Sequence, residues 1–173
     1  MSETVNVTRR GEVAVITFDN PPVNALSRQV QEGIQSSLRA AAEDPEVRAL
    51  VIIGGGRSFS AGADIGEIEK VTSGQRPVEG LLPLGFLLTV EDCPKPVVMA
   101  IRGAALGGGL ELAMAGHYRV SEPAAELGQS EVKLGLIPGA AGTQRLPRLA
   151  GVAKAVEMCA FGEPVTAREA LAP

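Results

Sequence analysis

Pro96-Val97-Val98-Met99-Ala100-Ile101, followed by Gly103-Ala104-Ala105-Leu106-Gly107-Gly108-Gly109-Leu110-Glu111, is the stretch from which the fold is read. The first six residues form a short, continuous apolar run, as in a strand buried on both faces. Gly103–Gly109 then turns the chain into a helix that runs to about Ala115. Strand, glycine turn and helix make the unit of an α/β fold with a parallel sheet. The glycines let the backbone approach a ligand and leave its N–H groups bare. A helix starting there aims those N–H groups, and its positive dipole end, at whatever lies in front. Glu111 lies three residues beyond Gly108, so both fall on one face of the first turn. A bare amide beside a carboxylate suits a carbonyl whose oxygen becomes negative while a proton moves nearby.

The same unit repeats outward from this stretch. Val5–Thr8 and Val13–Phe18 read as strands joined at Arg10-Gly11, and Asn20-Pro21-Pro22 breaks them off. Ser27 caps a helix to about Ala42, with Val30, Ile34, Leu38 and Ala41 on one stripe. Ala49–Ile53 is a second doubly buried strand, followed by Gly54-Gly55-Gly56. Helices are expected over Asp64–Lys70 and Leu81–Val90, with a polar surface loop, Thr72–Val78, between them. His117–Val120 reads as a strand and Leu134–Gly142 as a loop. Helical patterns follow at Thr143–Leu149 and Val152–Phe161, and Thr166 caps a last helix, Ala167–Leu171. The alternation argues for right-handed crossovers on a parallel sheet. No internal repeat or linker interrupts it, so residues 1–173 read as a single domain.

Composition narrows the function. A chain of 173 residues with 45% hydrophobic side chains is enough for one sizeable core. A net charge of −4 and only 3% aromatic residues argue against a nucleic-acid binder with basic or stacking surfaces. Cys93 and Cys159 stand far apart without metal spacing, so they read as reduced thiols of a cytoplasmic protein. No metal site is expected. No stretch reads as a membrane span or a secretory signal, and Leu171-Ala172-Pro173 is not a peroxisomal address.

The glycine loops admit several readings. Gly103–Gly109 is neither the dinucleotide fingerprint nor a P-loop, which needs a following lysine. A tight turn with close helix packing is the structural alternative. Phe59-Ser60-Ala61-Gly62-Ala63-Asp64-Ile65 also runs from a buried strand into a helix start. Ligands of α/β sheets sit outside the carboxyl ends of strands. Two such turns can therefore converge on one oxygen as an oxyanion hole. His117 reads as a structural histidine rather than a base. Ser58, Ser60 and Ser130 lack a partner base in a nucleophile-elbow pattern. Glu131, taken alone, reads as a surface carboxylate.

At these residues the chain resembles the crotonase (enoyl-CoA hydratase/isomerase) superfamily. The ordered matches are Asn20–Leu26, Phe59–Ile65, Pro94–Val97 with Gly103–Ala113, and Gly128–Gly139 with Gly142–Leu146. Together they span nearly the whole chain. The wording resembles most the hydratase/isomerase part of multifunctional β-oxidation enzymes, where that part is fused to a hydroxyacyl-CoA dehydrogenase. The resemblance implies repeated ββα units with parallel sheets flanked by helices. It implies an oxyanion hole from the backbone N–H groups of Ala63 and Gly108, and two catalytic carboxyls, Glu111 and Glu131. It also implies a CoA and substrate border of Val23, Ala25, Leu26, Ala61, Asp64, Ile65 and Gly107.

The implied reaction is addition of water to a trans-2-enoyl-CoA, giving a 3-hydroxyacyl-CoA in fatty-acid β-oxidation. The alternatives are a Δ3,Δ2-enoyl-CoA isomerase and a truncated, non-catalytic acyl-CoA-binding or assembly module. No cofactor is implied, because coenzyme A is part of the substrate. A homotrimer or dimer of trimers is implied. The chain departs from the family pattern at Ser130, where many relatives have proline, and at Ala140-Ala141-Gly142, where they are richer in glycine. Family domains also run longer, so the C-terminal helices are expected to be missing from a truncated domain.

Overall fold

The computed structural model describes residues 4–75 and 82–171, apart from the side chains of Ile65, Val71 and Thr72. Strand β1 (Val5–Arg10) turns back into β2 (Val13–Phe18), and helix α1 (Arg28–Glu43) follows. The Ser27 hydroxyl accepts the Val30 N–H at 3.4 Å, as its N-cap position requires. Next come β3 (Ala49–Gly54), α2 (Ile65–Thr72), α3 (Leu84–Glu91) and β4 (Val97–Ile101). Then β5 (Ala104–Leu106) leads into α4 (Gly108–Ala115), and β6 (Tyr118–Ser121) and β7 (Glu126–Gly128) into a 3-10 turn, Glu131–Leu134. Helices α5 (Gly142–Ala150) and α6 (Val152–Phe161), strand β8 (Val165–Thr166) and helix α7 (Ala167–Leu171) close the described chain.

Two sheets result. The larger has the order β1-β2-β3-β4-β6, antiparallel only between β1 and β2. The smaller has the order β5-β7-β8, with β5 and β7 parallel. The expected ββα repeat is visible in β1-β2-α1, β4-β5-α4 and β6-β7-α5. In the last two, the first strand joins the large sheet and the second joins the small one.

Alternate residues of the large sheet, Ala14, Ile16 and Phe18, then Leu50 and Ile52, then Val97, Met99 and Ile101, are buried. They meet Val30, Ile34 and Leu38 of α1 and Phe86, Leu87 and Val90 of α3 in one core. Phe18 and Phe59 meet edge to face there, with ring centroids 5.4 Å apart.

The large strands are therefore not buried on both faces. Ala49, Val51 and Ile53 stay half-buried, because α1 and α3 stack on one side of the sheet. Gly103–Gly109 is more than a turn, since residues 104–106 pair with 126–128 as strands. The strand expected at His117–Val120 begins one residue later, because His117 turns its ring back to β4, where Nδ1 accepts the Val97 N–H at 2.9 Å. Asp64 caps α2 from outside, its Oδ1 accepting the Gly66 N–H at 2.8 Å. Of the expected Thr72–Val78 loop, Thr72 ends α2 and residues 76–78 lie outside the described residues, as does Leu81 of the next expected helix.

Candidate active site

The small sheet explains where the site lies. Ser60 bridges in parallel to Ala105, and Leu106 pairs in parallel with Gly128. Three neighbouring strand ends therefore point the same way, and each runs directly into a segment of the site. Ala61–Ala63 follows the first, Gly107-Gly108 the second and Gln129–Glu131 the third. Backbone bonds lock the register, from Leu106 N to Ser60 O at 2.9 Å and from Gly107 N to Gly128 O at 2.8 Å. Carboxyl ends of parallel strands are where α/β sheets place ligands.

Here a cavity of about 540 Å³ opens. Ala61, Ala63, Gly107, Gly108, Glu111 and Glu131 all line it. The N–H groups of Ala63 and Gly108 find no acceptor among the described residues. Gly108 opens α4, so its N–H is one of the helix's free donors. The two segments touch: Gly62 turns at φ +98°, and a Cβ on it would stand 3.1 Å from Gly108 N.

The carboxyls come from different elements. Glu111 lies in the first turn of α4, only 2% exposed. Its Oε1 accepts the N–H groups of Ala140, at 2.8 Å, and Gly142, at 2.7 Å. Burial pushes its pKa above the usual carboxylate range, while those two amides and the Arg145 guanidinium pull it back. Glu131 opens the 3-10 turn. Burial pushes it up to about 7; its own backbone N–H opposes this, and the charge of Glu111 adds to it. With its amide nitrogen turned toward Glu131, the fully buried Gln129 donates to both carboxylate oxygens at 3.1 Å. Two close carboxyls of different environment are the usual source of an acid and a base.

Among the described residues, the expected Val23, Ala25, Leu26 and Asp64 do not line this cavity. Leu26 is 1% exposed and packs in the core, its N–H donating to Gly62 O at 2.8 Å. Val23 is exposed, and its carbonyl accepts the Ala61 N–H at 3.0 Å. Ala25 is half-buried in the same loop, and Asp64 caps α2. Ile65 opens α2, and its side chain lies outside the description.

The apolar wall escaped the sequence reading. Ile68, Leu82, Leu84, Leu134, Leu136 and Ile137 form it from three separate segments with no shared periodicity. Asn24 also went unread as a support. At φ +52° and 3% exposed, it donates from Nδ2 to Gly55 O and Ser58 O at 2.7 and 2.8 Å. Its carbonyl accepts the Ser60 hydroxyl at 2.7 Å. An asparagine after two prolines, at a place needing a left-handed turn, was the available signal. Among the described residues no group of three or more metal-ligating side chains gathers, and no helix is long and apolar enough to cross a membrane.

Comparison with known proteins identifies the family. The family model described as enoyl-CoA hydratase/isomerase matches residues 8–172. A probable enoyl-CoA hydratase of Bacillus subtilis (strain 168) is 51% identical over 161 residues, which is 92% of this chain and 62% of that protein. The peroxisomal bifunctional enzyme of Danio rerio is 49% identical over 159 residues, 92% of this chain but only 21% of that protein. The crystal structure of an enoyl-CoA hydratase from Bacillus anthracis superimposes with a TM-score of 0.89 at 37% identity, covering 96% of this chain and 66% of that one. This chain thus spans less than two thirds of the length of these relatives. With the family model matching nearly its whole length and its fold shared with a solved enoyl-CoA hydratase, the chain belongs to the enoyl-CoA hydratase/isomerase family.

Proposed function

We propose that this chain hydrates trans-2-enoyl-CoA thioesters to 3-hydroxyacyl-CoA. One observation carries the reading: two unpartnered backbone N–H groups and two carboxyls of raised pKa border one apolar cavity. The thioester oxygen sits between the Ala63 and Gly108 amides. As water adds to C3, the negative charge that develops on this oxygen is held by donors already in place. Glu111 has Oε1 committed to Ala140 and Gly142, which leaves Oε2 to orient the water and take its proton. Glu131, at about 7, carries a proton near neutral pH and delivers it to C2. CoA enters as part of the substrate, and the loop Val23–Leu26, tied to Ala61 and Gly62, borders its path.

A Δ3,Δ2 double-bond shift needs the same hole and one carboxyl. Glu131 favours this second reading, because a group at about 7 both gives and takes protons near neutrality. Hydration and isomerisation measured side by side in Glu111→Ala and Glu131→Ala separate the two. Hydration falls in both variants under our reading, while isomerisation survives Glu111→Ala better. Hydration untouched by either variant refutes the scheme.

The chain acts, in this proposal, as a cytoplasmic homo-oligomer, a trimer or dimer of trimers. Val152 and Val156, one turn apart on α6, and Phe161 at its end are exposed apolar side chains, which supports association. Sedimentation velocity of Val156→Glu with Phe161→Glu is expected to show smaller species; an unchanged profile contradicts this.

A further inference from the structure

The loop before α5 supplies both amides that hold Glu111, and Arg145 holds that loop. Arg145 lies in the first turn of α5 and is 9% exposed. Its Nη1 donates to Ala140 O at 3.0 Å, and its Nη2 donates to Glu91 Oε2 at 2.6 Å. The Ala140 residue is thus gripped twice, its carbonyl by Arg145 and its N–H by Glu111. Glu91 ends α3, the helix whose first residue, Leu84, lines the cavity. The Glu91 carbonyl lies 3.1 Å from His117 Nε2, and because His117 Nδ1 accepts from Val97, Nε2 carries the proton. A continuous path therefore runs from β4 through His117, Glu91, Arg145 and Ala140 to Glu111.

Arg145 is also costly where it stands. Its Nε is buried without an acceptor among the described residues, and its ion-pair partner Glu91 is partly exposed. A buried cation with an orphan donor is a poor device for stability alone. A planar fork that reaches two acceptors at once suits a geometric task that a point charge cannot perform.

We propose that Arg145 is a positioning residue, its fork clamping Ala140 to Glu91 so that the amides of Ala140 and Gly142 hold Glu111 in its working place. The assignment rests on the reading of Glu111 as a working carboxyl. Arg145 from α5 also lowers the pKa of Glu111 by its charge. Glu131 from the 3-10 turn and Cys159 from α6 are the other titrating groups that feel the Glu111 charge.

The test is a ¹³C-carboxyl NMR titration of Glu111 in the unsubstituted chain, Arg145→Gln and Arg145→Lys, with kcat and KM for crotonyl-CoA measured alongside. In Arg145→Gln the Glu111 midpoint moves up, and kcat falls between about tenfold and a hundredfold while KM stays within about twofold. Arg145→Lys brings the midpoint back toward that of the unsubstituted chain and restores kcat in part. Superimposed Glu111 titrations in folded Arg145→Gln overturn the assignment. The unsubstituted chain gives a check that needs no variant: the Arg145 side-chain and Ala140 amide resonances move with the Glu111 midpoint, and resonances indifferent to it overturn the assignment as well. A chain without hydration turnover that still shows this co-titration upholds the Arg145 clamp and removes the hydration reading instead.

Discussion

At Gly107 the backbone turns at φ 52° and ψ −127°, and a Cβ there would stand 3.1 Å from Glu131 Oε1. Gly107→Ala therefore meets a disfavoured backbone region and a carboxyl that must move. The expected cost is about 1–3 kcal/mol of stability, measured by urea unfolding, with hydration falling at least tenfold, by roughly the effect of displacing one proton donor. Glu131 makes a second prediction at this scale. Its folded pKa of about 7 lies above the ordinary 4.5, so the folded chain binds more protons between those values. Stability must then fall as pH rises from about 4.5 to 7, and the loss is complete above the folded pKa. Glu131→Gln removes that loss, so its melting temperature should gain on the parent as pH rises from 4.5 to 8; a constant difference contradicts the account. Glu111 was legible because a helical spacing ties it to Gly108. Glu131 was not legible from local sequence, since only the pairing of β5 with β7 brings it to the same cavity.

Asn24 shows how a residue outside the cavity wall supports the site. Its side chain fixes the Asn20–Leu26 loop to the carbonyls of Gly55 and Ser58, and its own backbone holds Ser60, where the first site strand ends. Asn24→Ala leaves two carbonyls short of a donor and puts alanine at a positive φ. A loss of about 2–4 kcal/mol in urea unfolding is expected; a loss within about 0.5 kcal/mol, as for an ordinary surface change, contradicts it. Elements with local signals were readable. The Ser27 cap and apolar stripe give α1, and Thr166 with Glu169 forms a reciprocal capping box at α7. Strands β5, β7 and β8 have two or three residues each, too few for any periodicity, and exist only through their partners.

On the scale of the whole molecule, the alternation of strand and helix was readable because each crossover brings its own apolar run. The second sheet was not, since its strands are short, β5 and β7 come close behind β4 and β6, and β8 comes only after α6. Yet that sheet turns three distant segments into one cavity wall, with two free amides and two carboxyls around it. In our proposal this wall adds water to an enoyl thioester. This is tested most directly by following the loss of enoyl-thioester absorbance when the purified chain meets crotonyl-CoA, beside Glu131→Gln. Turnover by the chain is expected, with a loss of at least about a hundredfold in the variant. A folded chain that binds crotonyl-CoA without hydrating it, or a variant that hydrates it equally well, would contradict the proposal.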